Sequence, residues 1–290
     1  MTRINGDASP VPASHRAASA LAHLLHQPDN KAFYSSAETV TLLSEDNALQ
    51  CPERVILERL KEWLNGRRML DVGVGGGRTT HHFAPCVATY VGVDYAPPMI
   101  AACKAHLSGE MENVTFTVGD ARDLSKFDTG AFDFVLFSYN GIDYISHDDR
   151  LAALAELRRV CAPSGFVCFS SHNLGAASQL FRLRPHQKVN TYTRVRGLVL
   201  QVIFRALNSR HRTLAQSGHA IVRDSIYQFR LATYYVHPSE QLKQLADAGF
   251  SYVELYALDG QQIEPADAGD TGGLWVYYLA ACSDQSPRFL

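Results

Sequence analysis

Short apolar runs and helix-periodic stretches alternate along most of the chain. Residues 69–72 (MLDV), 88–93 (ATYVGV), 114–118 (VTFTV), 132–137 (FDFVLF) and 166–170 (FVCFS) are of strand length and rich in β-branched and aromatic side chains, so each is expected to be a strand. Between them the period changes. Val55, Ile56, Leu60, Trp63 and Leu64 form one face of a helix that has Pro52 in its first turn and stops at Gly66. Leu151, Leu154, Leu157 and Cys161 form another, with Ser146 and Asp149 spaced as an N-terminal cap and Pro163, Ser164 and Gly165 ending it. Near the other end, residues 237–250 read as a helix with Pro238 at its start and Gly249 at its stop, followed by strands at 252–257 and 274–281. No helix fits between those two strands, so they are expected to pair as an antiparallel hairpin. The alternation predicts an α/β sheet with helices on both faces.

The sharpest local feature is the end of the first strand. Gly73, Gly75, Gly76 and Gly77 crowd the turn into a helix-compatible stretch. A backbone with positive φ, or one that must lie against a ligand, leaves no room for a Cβ. The free N–H groups of a following helix would add a site for an anionic group. A dinucleotide fingerprint GxGxxG fails here, because its third glycine would fall on Arg78 or Thr80. What stands instead is Asp71 followed by Gly73, Gly75 and Gly77. Asp94 closes the second strand, where a carboxylate can accept from both hydroxyls of a ribose. Turn and carboxylate together define a nucleoside site.

The acidic residue followed by GxGxG resembles motif I of the class I S-adenosylmethionine (SAM) dependent methyltransferases. That resemblance, running from about residue 52 to 281 with one interruption, implies a seven-stranded, mostly parallel sheet of order 3-2-1-4-5-7-6 with the last strand antiparallel. It implies SAM as cofactor, with S-adenosylhomocysteine as product and no metal. The glycine turn would lie under the methionyl part and ribose, with Asp71 near the amino group. Tyr95 would pack on adenine ahead of a helix that opens at Pro97, Pro98 and Met99, and Met99 is counted with the site. GDARDL after the third strand matches the adenine-binding pattern, so Asp120, Ala121 and Arg122 are carried over. Tyr34, in the segment KAFYSSAETV, stands where an N-terminal aromatic closes over the cofactor.

Residues 138–143 (SYNGID) follow the fourth strand and are expected to face the transferable methyl group, with Ser138 on the cofactor. The loop is not NPPY, the signature of enzymes that methylate exocyclic amines of nucleic-acid bases. Methyl transfer from a sulfonium is an in-line displacement, so placing the acceptor accounts for much of the catalysis. A hydroxyl acceptor gains from a general base, and histidine suits that task near neutral pH. His172 just beyond strand five, with Asp143 and Tyr139 after strand four, are the candidates that topology aims at the acceptor.

Composition changes this picture in one place. Overall, 46% of residues are hydrophobic and the net charge of −2 implies no partner. Residues 173–233 carry ten Arg or Lys against the single acid Asp224. This stretch is expected to be a lid insertion after strand five that sets acceptor specificity, dividing the chain into an N-terminal arm and covering segment (1–51), a SAM-binding domain (52–172 and 234–290) and the basic insertion (173–233). Within it Val195, Leu198, Val199, Val202, Ile203, Ala206 and Leu207 recur at helical spacing, with Arg194, Arg196, Gln201, Arg205 and Asn208 on the other side.

The expectation is therefore methyl transfer to an O or N atom of a small metabolite, an anionic one being favoured by the basic insertion. The alternatives are a membrane-surface enzyme acting on a lipid-like acceptor through peripheral contact at 194–208, and a non-catalytic SAM-binding protein. No aromatic-rich recognition module accompanies the basic charge, so nucleic acid is not expected. Six scattered cysteines without a CxxC pair, and no long apolar segment, fit reduced thiols in a cytoplasmic protein.

Overall fold

The computed structural model describes residues 29–107, 111–176, 199, 202–204, 206–208, 218–223, 229–268 and 273–283. Two short helices, α1 (Asn30–Tyr34) and α2 (Ala37–Glu45), precede α3 (Cys51–Leu64). Then come β1 (Arg68–Val72), α4 (Thr80–Phe83), β2 (Thr89–Asp94), α5 (Pro97–Leu107), β3 (Val114–Val118) and β4 (Phe132–Phe137). After α6 (His147–Val160) follow β5 (Cys161–Asn173), the short pair β6 (His219–Val222) and β7 (Thr233–Val236), and α7 (Pro238–Asp247). The chain closes with β8 (Tyr252–Tyr256), β9 (Gln262–Ile263) and β10 (Trp275–Ala281).

The sheet runs β3-β2-β1-β4-β5-β10-β8-β9. β1 pairs in parallel with β2 and β4, β2 with β3, and β4 with β5, while β10 is antiparallel to both β5 and β8. With β8 and β10 as the sixth and seventh main strands, this is the order 3-2-1-4-5-7-6 with the last strand reversed. The strand count is larger than seven because β9 extends one edge and β6 and β7 form a short pair joined to β5.

Two core layers explain why the central strands are apolar throughout. Successive side chains point to opposite faces, so Met69 and Phe134 join α3 and α5 on one side, while Leu70 and Val135 join α6 and α7 on the other. Burying each such leucine or phenylalanine is worth roughly 1.5–3 kcal/mol. α3 begins with a reciprocal cap between Gln50 and Glu53, which fixes where the chain enters the first layer.

Three expectations change. Strand five runs from Cys161 to Asn173, through Pro163, Ser164 and Gly165, because a register shift at Phe132/Phe134 lets Cys161 pair with Phe132 before the regular ladder begins. The helix after the glycine turn is a single turn, Thr80–Phe83, so its dipole adds little, and in the turn itself the Val74, Gly75 and Gly77 N–H groups already donate to the Val93 carbonyl, Asp94 and the Val74 carbonyl. Of the proposed apolar stripe in the insertion, Val199 and Val202 are exposed; Ile203, Phe204 and Leu207 pack on a separate small core with Ala220, Val222 and Tyr235, and Asn208 is buried, accepting from the Arg223 N–H at 3.0 Å. The face is rotated because Phe204 is the large anchor. Val195, Leu198, Arg194, Arg196, Gln201 and Arg205 lie outside the described residues, as does the arm before residue 29.

Among the described residues no helix is long and apolar enough to cross a membrane. β6, within the insertion, is tied to the sheet through β7, which it pairs antiparallel and which pairs in parallel with β5 at His172↔Tyr235 and Asn173↔Val236.

Candidate active site

A cavity of about 630 Å³ opens at the carboxyl ends of β1, β2, β3 and β4. That is where ligands sit in open α/β sheets. Its floor is the turn after β1. Gly73, Gly75 and Gly77 have φ of 65°, 55° and 91°, a conformation that side chains rarely adopt. A Cβ at Gly73 would meet the Phe137 ring at 2.7 Å, whereas at Gly75 it would stand clear, 4.0 Å from the Gly73 carbonyl oxygen. Gly77 is not part of the lining; a Cβ there would strike Leu107 at 2.6 Å, so this glycine lets α5 pack against the turn. Gly76 serves the roof: a Cβ would meet the Leu43 carbonyl oxygen of α2 at 2.5 Å.

Asp94, buried at the end of β2, holds the turn. Its Oδ2 accepts from the Gly75 N–H at 3.0 Å and its Oδ1 from the Ala96 N–H at 2.8 Å. Burial pushes its carboxyl above the usual range, opposed by these two bonds. A carboxylate has about four lone-pair positions, so two remain for ligand hydroxyls. Asp71 lies beside it, wholly buried, accepting from the Thr79 and Tyr90 hydroxyls. Burial raises its carboxyl from 3.8 to about 6, with the two hydroxyls and the Arg78 charge working against the rise. An ammonium group placed there would restore full ionisation.

At the far end Asp120 and Arg122 form a two-bonded pair, at 2.9 and 2.7 Å, which holds the Asp120 carboxyl below its ordinary value. Arg122 also reaches Asp149 at 3.2 Å. Tyr95, Met99 and Ala121 complete this end of the lining. Tyr34, Ser138 and Tyr139 line the cavity as well, with the Tyr34 ring 5.2 Å from that of Tyr144. The covering segment is fastened by Asn30, whose Nδ2 donates to the carbonyls of Tyr144 (2.7 Å) and Ala232 (3.0 Å).

Asp143 and His172 are brought together but behind the wall. Both are buried and neither lines the cavity. Asp143 pairs with the wholly buried Arg150, and its other oxygen accepts from the His172 N–H at 2.6 Å and faces Nδ1 of the same ring at 2.7 Å. The Tyr144 ring, which does line the cavity, lies 6.3 Å from that of His172.

Residues that the sequence did not single out complete the site. Arg78 lines the cavity, clamped by Glu53 through bonds of 2.6 and 2.7 Å, and lies 4.9 Å over the Tyr139 ring. Glu53 in turn accepts from Ser138 and Tyr277. Desolvation works against the Arg78 charge, but the Glu53 carboxylate outweighs it and raises the guanidinium's pKa. Arg78 is thus a fixed guanidinium paired with Glu53; it also donates to the Ala48 carbonyl and Ser138 Oγ and keeps its Nε–H for another partner. The only sequence signal was a charged residue inside a glycine turn.

The turn, the two aspartates and the sheet order decide the family. Residues 69–165 match the family described as a methyltransferase domain. This segment is a class I SAM-dependent methyltransferase domain. The chain is 30% identical over 118 residues to a ubiquinone biosynthesis O-methyltransferase of Thiobacillus denitrificans, covering 40% of this chain and 49% of that one. It is 38% identical over 104 residues to a magnesium-protoporphyrin O-methyltransferase of Rhodobacter capsulatus, covering 36% and 45%. The chain thus spans about half the length of the curated relatives it matches. The same fold is found in a 1,6-didemethyltoxoflavin-N1-methyltransferase of Burkholderia thailandensis, solved with S-adenosylhomocysteine, at a TM-score of 0.53 and 16% identity over 94% of this chain and 91% of that one.

The methyltransferase cavity fits the cofactor of its family on its own features: an open glycine turn, a carboxylate with two free acceptor positions, a buried acid whose carboxyl is raised, and a guanidinium held in place by Glu53. Among the described residues no group of His, Cys, Asp and Glu is arranged to hold a metal ion.

Proposed function

We propose that this protein transfers a methyl group from SAM to an O or N atom of a small molecule. The observation that carries this reading is Asp94 bonded to the Gly75 N–H inside a cavity that also holds Asp71. In this reading Asp94 takes the ribose hydroxyls, Asp71 the amino group and Arg78 the carboxylate of the methionyl part, while Tyr95, Met99, Asp120, Ala121 and Arg122 receive the adenine. Tyr34, Ser138 and the turn of Gly73 and Gly75 enclose the sulfonium. Gly77 supports the turn from outside. A volume of about 630 Å³ suits a nucleoside with an amino-acid tail and leaves room for a modest acceptor.

SAM supplies the electrophilic methyl group when bound. The chain's own residues then have two tasks: to bring an acceptor atom in line with the methyl group, and to accept a proton where the acceptor is a hydroxyl. In this reading Tyr139, on the lining, faces the acceptor, while His172 and Asp143 lie buried behind Tyr144. The lining carries six aspartates, counting Asp29, Asp46 and Asp149, against Lys31, Arg78 and Arg122. That balance favours a neutral or cationic acceptor over a multiply charged anion. Relatives whose names give ubiquinone biosynthesis and magnesium protoporphyrin as their context support a small-molecule acceptor.

Incubation with SAM carrying a labelled methyl group and a metabolite extract tests this. Label should move to a small-molecule fraction, and labelled SAM left unconsumed by every fraction would leave only cofactor binding. A peripheral contact with anionic membranes through 194–208 rests on the exposed Val199 and Val202 beside the basic residues of that stretch, and sedimentation with anionic vesicles tests it.

A further inference from the structure

The two faces of the β6–β7 hairpin are held in different ways. Residues paired across an antiparallel ladder share a face, so Ala220, Val222, Thr233 and Tyr235 point one way and His219, Ile221, Tyr234 and Val236 the other. The first face packs on the small core with Phe204 and Phe229. On the second face Ile221 of β6 is exposed, while His219 lies flat against His147, the first residue of α6. The two imidazole centroids are 4.0 Å apart and their planes are within 1° of parallel.

Tyr234 of β7 completes the stack. Its ring is nearly parallel to both imidazoles, 5.2 Å from His219 and 5.9 Å from His147. Its hydroxyl accepts from Gln244 Nε2 at 3.3 Å, leaving its own hydrogen for His147 Nδ1 at 2.7 Å. The segment that carries His147 also walls the cavity: Tyr144, Ile145, Ser146 and Asp149 all line it, and Asp149 reaches Arg122 at the adenine end. Stacking of two rings thus joins β6, inside the insertion, to the cavity wall.

Among the described residues, the charged and titratable groups around the stack come from three elements. α6 brings Arg150, whose guanidinium lies 4.7 Å over the Tyr234 ring and is paired with Asp143, and Asp148 and Asp149 follow His147 in its first turn. α7 brings Glu240, close enough that a Cβ on Gly218 would meet its Cγ at 2.7 Å, with Lys243 bound to it at 3.3 Å. Ahead of α7, the His237 ring is turned to Ser239 Oγ at 3.0 Å. Positive charge on stacked rings at 4.0 Å repels, Arg150 adds to that repulsion, and Glu240 offsets part of it. Burial first and the neighbouring His147 second hold the His219 imidazole below its ordinary 6.5, against the pull of Glu240.

We propose that the His147–His219 stack is a pH-sensitive clasp that fastens β6 to the cavity wall and loosens when the rings gain charge. This is independent of which group the cavity methylates. Because the folded-state value of His219 lies below 6.5, the fastening is complete above pH 6.5 and is lost as pH falls through that lower value.

Two measurements test the clasp. Protein with ¹⁵N-labelled histidine side chains is titrated by NMR between about pH 5 and 8, the range in which imidazoles change charge. The His219 midpoint should lie below 6.5 and should rise in His147→Phe, which keeps a ring in the stack but carries no charge. Asp71 titrates in the same window, so amide exchange at β6, corrected for the intrinsic rate at each pH, is read in place of cofactor affinity. Protection of β6 should fall below the His219 midpoint by up to about tenfold per pH unit, the limit for one proton. His219→Phe should abolish that fall, since an imidazolium against a phenyl face attracts. A His219 midpoint at or above 6.5, or one unmoved by His147→Phe, overturns the coupling of the two rings. Protection that stays constant at low pH in the unmodified protein, or falls equally in His219→Phe, overturns the clasp.

Discussion

The backbone N–H of Gly75 donates a 3.0 Å hydrogen bond to Oδ2 of Asp94, joining the turn after β1 to the end of β2. The residues are 19 apart in sequence and meet because β1 and β2 are parallel neighbours in register, with Val72 opposite Val93. The bond places one acid beside the glycine backbone and leaves acceptor positions free for a sugar.

Asp94→Ala should therefore separate binding from stability. Losing the acceptor for the Ala96 and Gly75 N–H groups costs about 0.5–2 kcal/mol of folding stability, as for a lost cap. Hydrogen bonds to a charged acceptor are worth about 1.5–3 kcal/mol each, so losing two to a ribose lowers S-adenosylhomocysteine affinity by ~100-fold or more. Calorimetric titration and urea unfolding on the same protein read the two effects.

The three glycines of the motif should respond differently to alanine. Gly77→Ala forces a Cβ toward Leu107 and Cys103 in addition to the strained φ, so it should destabilise the fold by about 1–3 kcal/mol. Gly75→Ala meets no protein atom closer than 4.0 Å. It should lose about 1–2 kcal/mol from backbone strain alone, but suffer a larger loss of cofactor affinity because Gly75 lines the cavity.

Asp71 should make cofactor binding pH-dependent. Its folded-state value of about 6 lies above the ordinary 3.8, so the free protein gains stability from its protonated form at low pH and loses that gain as pH rises through about 6. An ammonium ligand needs the ionised form, so affinity should rise through the same window and level off above it. Asp71→Asn should flatten the dependence between pH 5 and 7 in titrations with S-adenosylhomocysteine, within about tenfold per pH unit.

The Asp143–Arg150 pair is wholly buried, and Arg150 also donates to Ser171 at 3.0 Å. Arg150→Met leaves a buried carboxylate without its main partner and should cost about 3–5 kcal/mol in denaturant unfolding. S-adenosylhomocysteine affinity should hardly change, because neither residue lines the cavity.

The central sheet and many residues of the cavity lining were legible in the sequence. Parallel strands buried on both faces must be apolar along their length, and the residues at their carboxyl ends are then placed by topology alone. That is how Asp94 could be located, whereas Asp120 came from the resemblance of GDARDL to the family's pattern. The Glu53–Arg78 clamp was not legible: Glu53 reads as a first-turn cap of α3, which it also is, and nothing local says that its carboxylate reaches back to the glycine turn. β6 and β7 were missed because four-residue runs carry no resolvable period, and residues 234–236 fell between the insertion and the last helix. The burial of His172 and Asp143 behind Tyr144 follows from side-chain packing, which strand order does not specify.

Titration calorimetry of the purified protein with S-adenosylhomocysteine and, separately, with NADH addresses the central claim most directly. A single S-adenosylhomocysteine site with micromolar or tighter affinity, abolished in Asp94→Ala, and no NADH binding is the result predicted here. Tight NADH binding with no response to S-adenosylhomocysteine would contradict the account.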